Sequence, residues 1–151
     1  MAVRTDNTGT SADLRGDRTI AQWFDLIVGA VLVIVGIAGF FVESDFGSVP
    51  KDASYDKLLG FEVNGWHNIV HIATGALLLW ASTRADLAKR VTLAFGVVYA
   101  LVSIIGLIQG DRILNIIPVN PADNGLHIAL AALALIVGFM SPDTRAAGAR
   151  Y

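Results

Sequence analysis

The stretch NGWHNIVHIATG, residues Asn64–Gly75, recurs in altered form as NPADNGLHIALA at residues Asn120–Ala131. Both copies follow the pattern N-x-x-x-N-x-x-H-I-A, which brings His71 and His127 to the same position. Each copy opens an apolar run, so the polar residues lie where a predicted helix begins. The sequence therefore predicts an internal repeat of two helix starts, with two of the chain's three histidines, His71 and His127, at its matched position.

The composition of the 151-residue chain is that of a membrane protein. Hydrophobic residues make up 54% of the chain and charged residues only 16%, whereas charged residues make up roughly a quarter of soluble domains. The net charge is -2, and no clustered basic face indicates nucleic-acid binding. The lipid bilayer is the expected partner. The absence of cysteine excludes disulfides, thiolate metal sites and thiol catalysis.

The apolar runs predict an all-α fold, a four-helix bundle integral to the membrane. A bilayer core needs about 20 apolar residues per helix. The predicted transmembrane domain covers residues 20–141, between a disordered tail at 1–19 and a polar tail at 142–151. The predicted helices are approximately 23–42, 66–82, 91–109 and 122–140, with a long extracytoplasmic loop at 43–63.

Lysine and arginine counts predict the orientation of these helices. Eight of the eleven basic residues lie in the two tails and in the turn between the second and third helices. Because cytoplasmic segments carry the excess of basic residues, both termini are expected in the cytoplasm. The helices then run up-down-up-down as two hairpins in parallel repeat, in a multi-pass protein of the plasma membrane.

The spacing within each motif has a structural interpretation. Asn64 and Asn120 are suitable helix N-caps. Asn68 and His71 share one helix face because they are three residues apart, and the second copy repeats this spacing. Polar side chains on such a face often hydrogen-bond between membrane helices. The first hypothesis is a non-enzymatic structural or accessory subunit, which belongs to a larger membrane complex or associates with itself.

The second hypothesis is a small cofactor-binding or metal-binding membrane protein, with redox or electron-transfer work. His71 and His127 could be axial ligands of a haem, with Asn68 and Asn124 beside them. Alternatively, Zn or Cu could bind His67 and His71, four apart on one helix, together with His127 and a carboxylate such as Asp123 or Glu62. A quinone or lipid pocket and proton or ion handling use the same residues. No hydrolytic motif indicates catalysis, so an enzyme is not expected.

The segment NIIPVNPADNGLH, residues 115–127, carries a family resemblance. With four short helices and an Asn/His motif at the second, the chain resembles a bacterial membrane family, frequent in actinobacteria, known as domain of unknown function 4383. The matching residues are Asn120, Pro121, Asp123, Asn124 and His127, and the resemblance covers about residues 20–140. It implies a four-helix fold and a plasma-membrane location, and it adds no mechanism.

Overall fold

The computed structural model describes residues 18–142, so nearly all of both predicted tails lies outside the described residues. Four helices and two small β-hairpins lie along the described chain, in the order helix, hairpin, helix, helix, hairpin, helix. The mostly helical architecture fits the predicted all-α class. The helices are α1 (Ile20–Gly39), α2 (Gly65–Ala81), α3 (Ala85–Gln109) and α4 (Pro121–Met140). The strands are β1 (Lys57–Leu58), β2 (Phe61–Glu62), β3 (Arg112–Ile113) and β4 (Ile117–Pro118).

Capping side chains explain where three of the helices begin. Thr19 and Gln22 form a capping box at α1, and Asn120 and Asp123 form another at α4. Asn64 caps α2 by accepting from the backbone N–H of His67 at 2.9 Å. Each cap satisfies backbone donors that have no partner within the helix. Helix α1 therefore begins at Ile20 and ends at Gly39, about three residues before the predicted limits at both ends.

Helix α3 begins at Ala85, six residues before the predicted start at residue 91. The segment ADLAKR, residues 85–90, consists largely of strong helix formers and contains no glycine or proline. The charged residues of this segment predict a turn, but charged residues are also compatible with a helix end at the membrane surface. The turn between α2 and α3 is accordingly limited to residues 82–84.

Each hairpin lies immediately before the helix that carries an Asn/His motif. β1 pairs antiparallel with β2, and β3 with β4. The first turn has positive φ at Leu59 (54°) and Gly60 (93°), and the second at Leu114 (54°) and Asn115 (58°). Turns of this backbone conformation match the twist of antiparallel strands. No pattern in the sequence predicts these two-residue strands.

The helices pack most closely as two pairs, α1 with α2 and α3 with α4. Glycines line both contacts. A Cβ at Gly29 would lie 2.8 Å from the backbone oxygen of Gly75, and one at Gly138 would lie 2.6 Å from the Leu93 side chain. Small residues at these positions let the helix backbones approach closely.

The N-cap asparagines connect the two pairs. Asn64 Nδ2 donates to the carbonyl oxygen of Ile116 in the second hairpin, and Asn120 Nδ2 donates to that of Gly60 in the first, both at 2.8 Å. Gly60 and Ile116 each stand four residues before the asparagine of their own half. Each helix cap therefore holds the opposite hairpin through a matching bond.

Helices α1, α3 and α4 are long and apolar enough to cross a membrane; α2, with 17 residues, is not among these three. Their outer surfaces carry exposed apolar side chains, among them Ile34 at 65% and Phe139 at 74% exposure. Such surfaces suit contact with lipid. Crossing by all four helices and the cytoplasmic placement of both termini stay predictions.

Candidate metal centre

The three histidines lie together between α2 and α4. His67 and His71 are one turn apart on α2, which puts both rings on the same helix face, and His127 reaches them from α4. One ring nitrogen of each histidine lies within 4.8 Å of the chosen nitrogens of the other two. The ring centroids are 4.4 Å apart for His67 and His71, and 6.2 Å apart for His67 and His127. These three imidazoles are called the histidine cluster below.

A backbone carbonyl fixes the orientation of His67. Its Nδ1 lies 2.9 Å from the carbonyl oxygen of Glu62, the last residue of β2. Because a carbonyl only accepts hydrogen bonds, Nδ1 carries the proton and Nε2 keeps a free lone pair. Metal-binding histidines in proteins are usually oriented in this way by a second hydrogen bond.

His127 is buried, at 5% exposure, and incompletely satisfied. Its ring packs edge-on against Tyr99 of α3 with centroids 5.2 Å apart. Its Nδ1 has no hydrogen-bond partner among the described residues. A buried nitrogen without a partner costs about 1–3 kcal/mol, so a ligand or hydrogen-bond donor at this nitrogen would stabilise the site.

Asp123 lies beside the cluster but outside it. Its Oδ2 accepts from the backbone N–H of Asn120 at 2.9 Å and from that of Glu62 at 3.1 Å. Among the described His, Asp and Glu side chains, only the three imidazoles converge. Glu62 thus joins the two sites, because its N–H binds Asp123 while its carbonyl holds His67.

The asparagines proposed as cofactor neighbours lie at the helix contacts instead. The Asn68 amide packs against Gly39 of α1, where a Cβ would overlap Oδ1, and Asn124 packs in the same way against Gly106 of α3. Asn68 Nδ2 also donates to the carbonyl of Glu43 at 2.8 Å. Neither asparagine lines the two clefts described next. Their position is that of interhelical packing.

Two apolar clefts reach the histidine cluster from opposite sides of the bundle. The α2–α3 cleft has a volume of about 250 Å³ and the α1–α4 cleft about 410 Å³. Both are lined by the histidine cluster and by Tyr99, which is 5% exposed. Asp123 lines only the α1–α4 cleft.

Tyr99 was absent from the sequence-based site. Its only signal was its helical spacing from Thr92, Phe95 and Ser103, which together form the buried face of α3. Such a stripe is the usual pattern of a core. Nothing in the spacing indicated that His127 would lie against it.

The described chain thus forms a mostly helical protein with apolar, membrane-compatible helices around a buried histidine cluster. It belongs to the family described as domain of unknown function DUF4383, which matches residues 22–140. This confirms the resemblance drawn from residues 115–127. The comparisons with curated proteins and with solved structures gave no match.

Proposed function

We propose that this protein is an integral membrane protein that binds one first-row transition-metal ion, Zn²⁺ or Cu²⁺, at His67, His71 and His127. The convergence of the three ring nitrogens within 4.8 Å carries the proposal. Three nitrogens bound to one tetrahedral metal ion at about 2.05 Å lie about 3.3 Å apart. Binding a metal ion would therefore need side-chain rotations that bring the three nitrogens closer together. Three imidazoles and an open fourth position are the ligand set of catalytic zinc centres.

Hydrogen bonding supports a metal ion over purely structural histidines. If the histidines served only interhelical hydrogen bonding, each buried imidazole nitrogen would be paired with a donor or an acceptor. His127 Nδ1 has no such partner among the described residues, while His67 already has the carbonyl bond that leaves Nε2 available. Asn68 and Asn124 have a packing role instead, because each amide lies against a glycine of the neighbouring helix, although neither Oδ1 has a hydrogen-bond partner among the described residues.

A bare ion also suits the site better than haem. Haem iron takes at most two axial ligands from the protein. A porphyrin held between His71 and His127 would have to displace His67, whose ring centroid is 4.4 Å from that of His71. His67 is 3% exposed and bonded to Glu62, so there is little room for such a movement.

The setting of the metal centre follows from the same proposal. We infer four helices that cross the plasma membrane, with both termini in the cytoplasm, built from two duplicated hairpins. The matching bonds from Asn64 to Ile116 and from Asn120 to Gly60 support the duplication. The centre then lies within the bilayer, where polar groups face the bundle interior.

The test is metal analysis of the detergent-purified full chain with single His71→Gln and His127→Gln variants. We expect about one equivalent of bound metal in the wild type. Each variant should lose roughly 100-fold or more in metal affinity, because losing even a residue that only orients a metal ligand costs about 10- to 100-fold. Ser103→Ala is the matched control, because Ser103 is buried on α3 and donates to the backbone of Tyr99. It should bind metal like the wild type.

Thermal melting with and without a chelator separates the two hypotheses. Because the metal binds only the folded protein, a concentration of 100 times the Kd raises stability by about 2.7 kcal/mol. A folded wild type whose melting and metal content match those of the histidine variants would contradict the proposal. The accessory-subunit hypothesis would then be preferred, and co-purifying proteins would be the next measurement.

A further inference from the structure

The α2–α3 cleft is lined by α3 over about three helical turns, a length that suits a linear apolar chain. Its wall on α3 includes Val91, Ala94, Val98 and Val102, which are spaced three or four residues apart and so follow one helix face. From the level of Tyr99, beside the histidine cluster, to Val91 is eight residues, or about 12 Å at helical rise. An extended hydrocarbon advances about 1.25 Å per carbon, since a C–C bond is about 1.5 Å. This length matches a chain of about ten carbons.

The cleft opens sideways through the wall of the bundle. Its rim residues Val98 and Leu77 are 52% and 48% exposed, and both lie on the apolar surface that the proposal assigns to the bilayer. A ligand would therefore enter from lipid. Polar groups in this cleft are confined to the histidine cluster, Tyr99 and Thr74, so only one end of the ligand can be polar.

The charges around the cluster define that polar end. Three neutral imidazoles leave a bound divalent ion with two positive charges. Asp123 supplies one negative charge from the opposite side, while Glu62 is paired with Lys57 at 3.7 Å. One positive charge remains, and a buried charge is costly unless it is paired. An anionic ligand in the open fourth position would neutralise the site.

We propose that the α2–α3 cleft binds a medium-chain fatty acid, with its carboxylate on the metal at the histidine cluster and its chain along Val98 and Ala94. The carboxylate enters from the side without Asp123, which avoids repulsion between like charges. This proposal rests on the metal centre proposed above.

Cobalt-substituted protein tests the metal centre and the fatty-acid site separately. Co²⁺ takes the ligands that Zn²⁺ takes, and its visible spectrum changes with the fourth ligand. The Co²⁺ spectrum of the purified full chain is recorded first, and decanoate, hexanoate or decanol is then added. We expect decanoate to change the spectrum and decanol, which has the same chain without the charge, to leave it unchanged.

Two tryptophan variants distinguish the clefts. Ala94→Trp blocks the far part of the α2–α3 cleft and should weaken decanoate by about tenfold, while hexanoate changes by less than about twofold because its chain ends before Ala94. Leu126→Trp, in the α1–α4 cleft, should leave both affinities unchanged. Ratios between variant and wild type cancel the partition of the acids into the micelle.

The outcomes separate the two proposals. If Co²⁺ gives no spectrum of a nitrogen-bound ion, the metal centre is wrong, and the fatty-acid site with it. If Co²⁺ binds but decanoate has no effect, decanol acts equally, or Leu126→Trp weakens decanoate in place of Ala94→Trp, the fatty-acid site alone is wrong. Should Ala94→Trp fail to load Co²⁺, Ala94→Leu replaces it in the same comparison.

Discussion

Residues 20–81 and residues 85–140 join their helices by the same contacts, and they differ where the second helix of each begins. In each half an asparagine packs against a glycine of the preceding helix, Asn68 on Gly39 and Asn124 on Gly106. In each half the N-cap asparagine also binds the opposite hairpin. Three residues after the caps, however, the first half has His67 and the second has Asp123.

A proline in the second hairpin matches that difference. Asp123 accepts the backbone N–H of Glu62, two residues before the cap of the first half. The corresponding residue of the second half is Pro118, which has no N–H to donate. The residue opposite Pro118 therefore needs no acceptor, and His67 turns to the carbonyl of Glu62. His67 thereby joins the matched pair His71 and His127, so the histidine cluster depends on a position at which the two halves differ.

The largest expected effect tests the contacts that the halves share. Gly39→Ala and Gly106→Ala each put a methyl group where an asparagine oxygen lies. Overpacking of this kind costs typically 1–3 kcal/mol, and we expect the upper end, about 3 kcal/mol, for both because Asn68 and Asn124 are buried at 0% and 5% exposure. Thermal or SDS-induced unfolding in detergent measures the change.

Gly125→Ala is the matched control for these variants. It lies within α4, and a Cβ there would meet nothing within 4 Å. It should leave stability unchanged or raise it by up to about 1 kcal/mol, since alanine favours the helix. If Gly39→Ala and Gly106→Ala differ widely from each other, or resemble Gly125→Ala, the two halves are not held by equivalent contacts.

A smaller effect tests the contact that the halves do not share. Asp123→Ala leaves the backbone N–H groups of Glu62 and Asn120 without an acceptor, which should cost about 2 kcal/mol. Asp123→Asn keeps an oxygen at that position and should cost less. Because Glu62 also orients His67, we expect Asp123→Ala to weaken metal binding by roughly 10-fold, the lower end for the loss of residues that orient a metal ligand. Pro118→Ala, which restores the N–H in the other half, is the comparison variant. Wild-type stability and metal affinity in Asp123→Ala would show that this bond does not support the cluster.

The sequence was informative about the fold where signals are local. Apolar runs and capping residues indicated the four helices, because each depends on neighbours within a few positions. The two-residue strands are too short for a periodic pattern, and of their four turn residues with positive φ only Gly60 is a glycine. The start of α3 was misplaced because charge was read as a break, although residues 85–90 favour a helix.

Less of the candidate site could be predicted from the sequence, because most of its contacts join residues that are far apart in the chain. The i, i+4 spacing of His67 and His71 is local, and the repeat suggested that His127 would be near. The bond between Asp123 and Glu62 joins residues 61 positions apart. It depends on how the two hairpins sit against each other, which no local pattern encodes. The contact of Tyr99 with His127 depends likewise on the packing of α3 against α4.

The smallest expected effect concerns the loops outside the helices, where the halves differ again. Asp111 Oδ2 accepts the backbone N–H of Asp52 from the long loop at 2.6 Å, and Oδ1 lies 2.6 Å from Arg112 Nη1. The hydrogen bond from Asp52, followed by the charge of Arg112, lowers the pKa of Asp111 below the ordinary value of 3.8. The folded state therefore favours the ionised carboxylate. Its contribution is complete above the ordinary pKa and disappears as the pH falls through the lowered pKa.

Asp111→Asn should accordingly melt slightly below the wild type at neutral pH, and the difference should close as the pH falls below about 4. The effect is small because the Asp111 carboxylate is partly exposed to solvent and salt screens it. Asp56 provides the control, since its carbonyl accepts from Val63 as that of Asp111 accepts from Val119, at 3.1 Å in both hairpins. Asp56→Asn, the same change at the matching position of the first hairpin, is melted under the same conditions as the reference. A constant difference for Asp111→Asn from neutral pH down to pH about 3 would mean that the charge of Asp111 does not hold the long loop to the second hairpin.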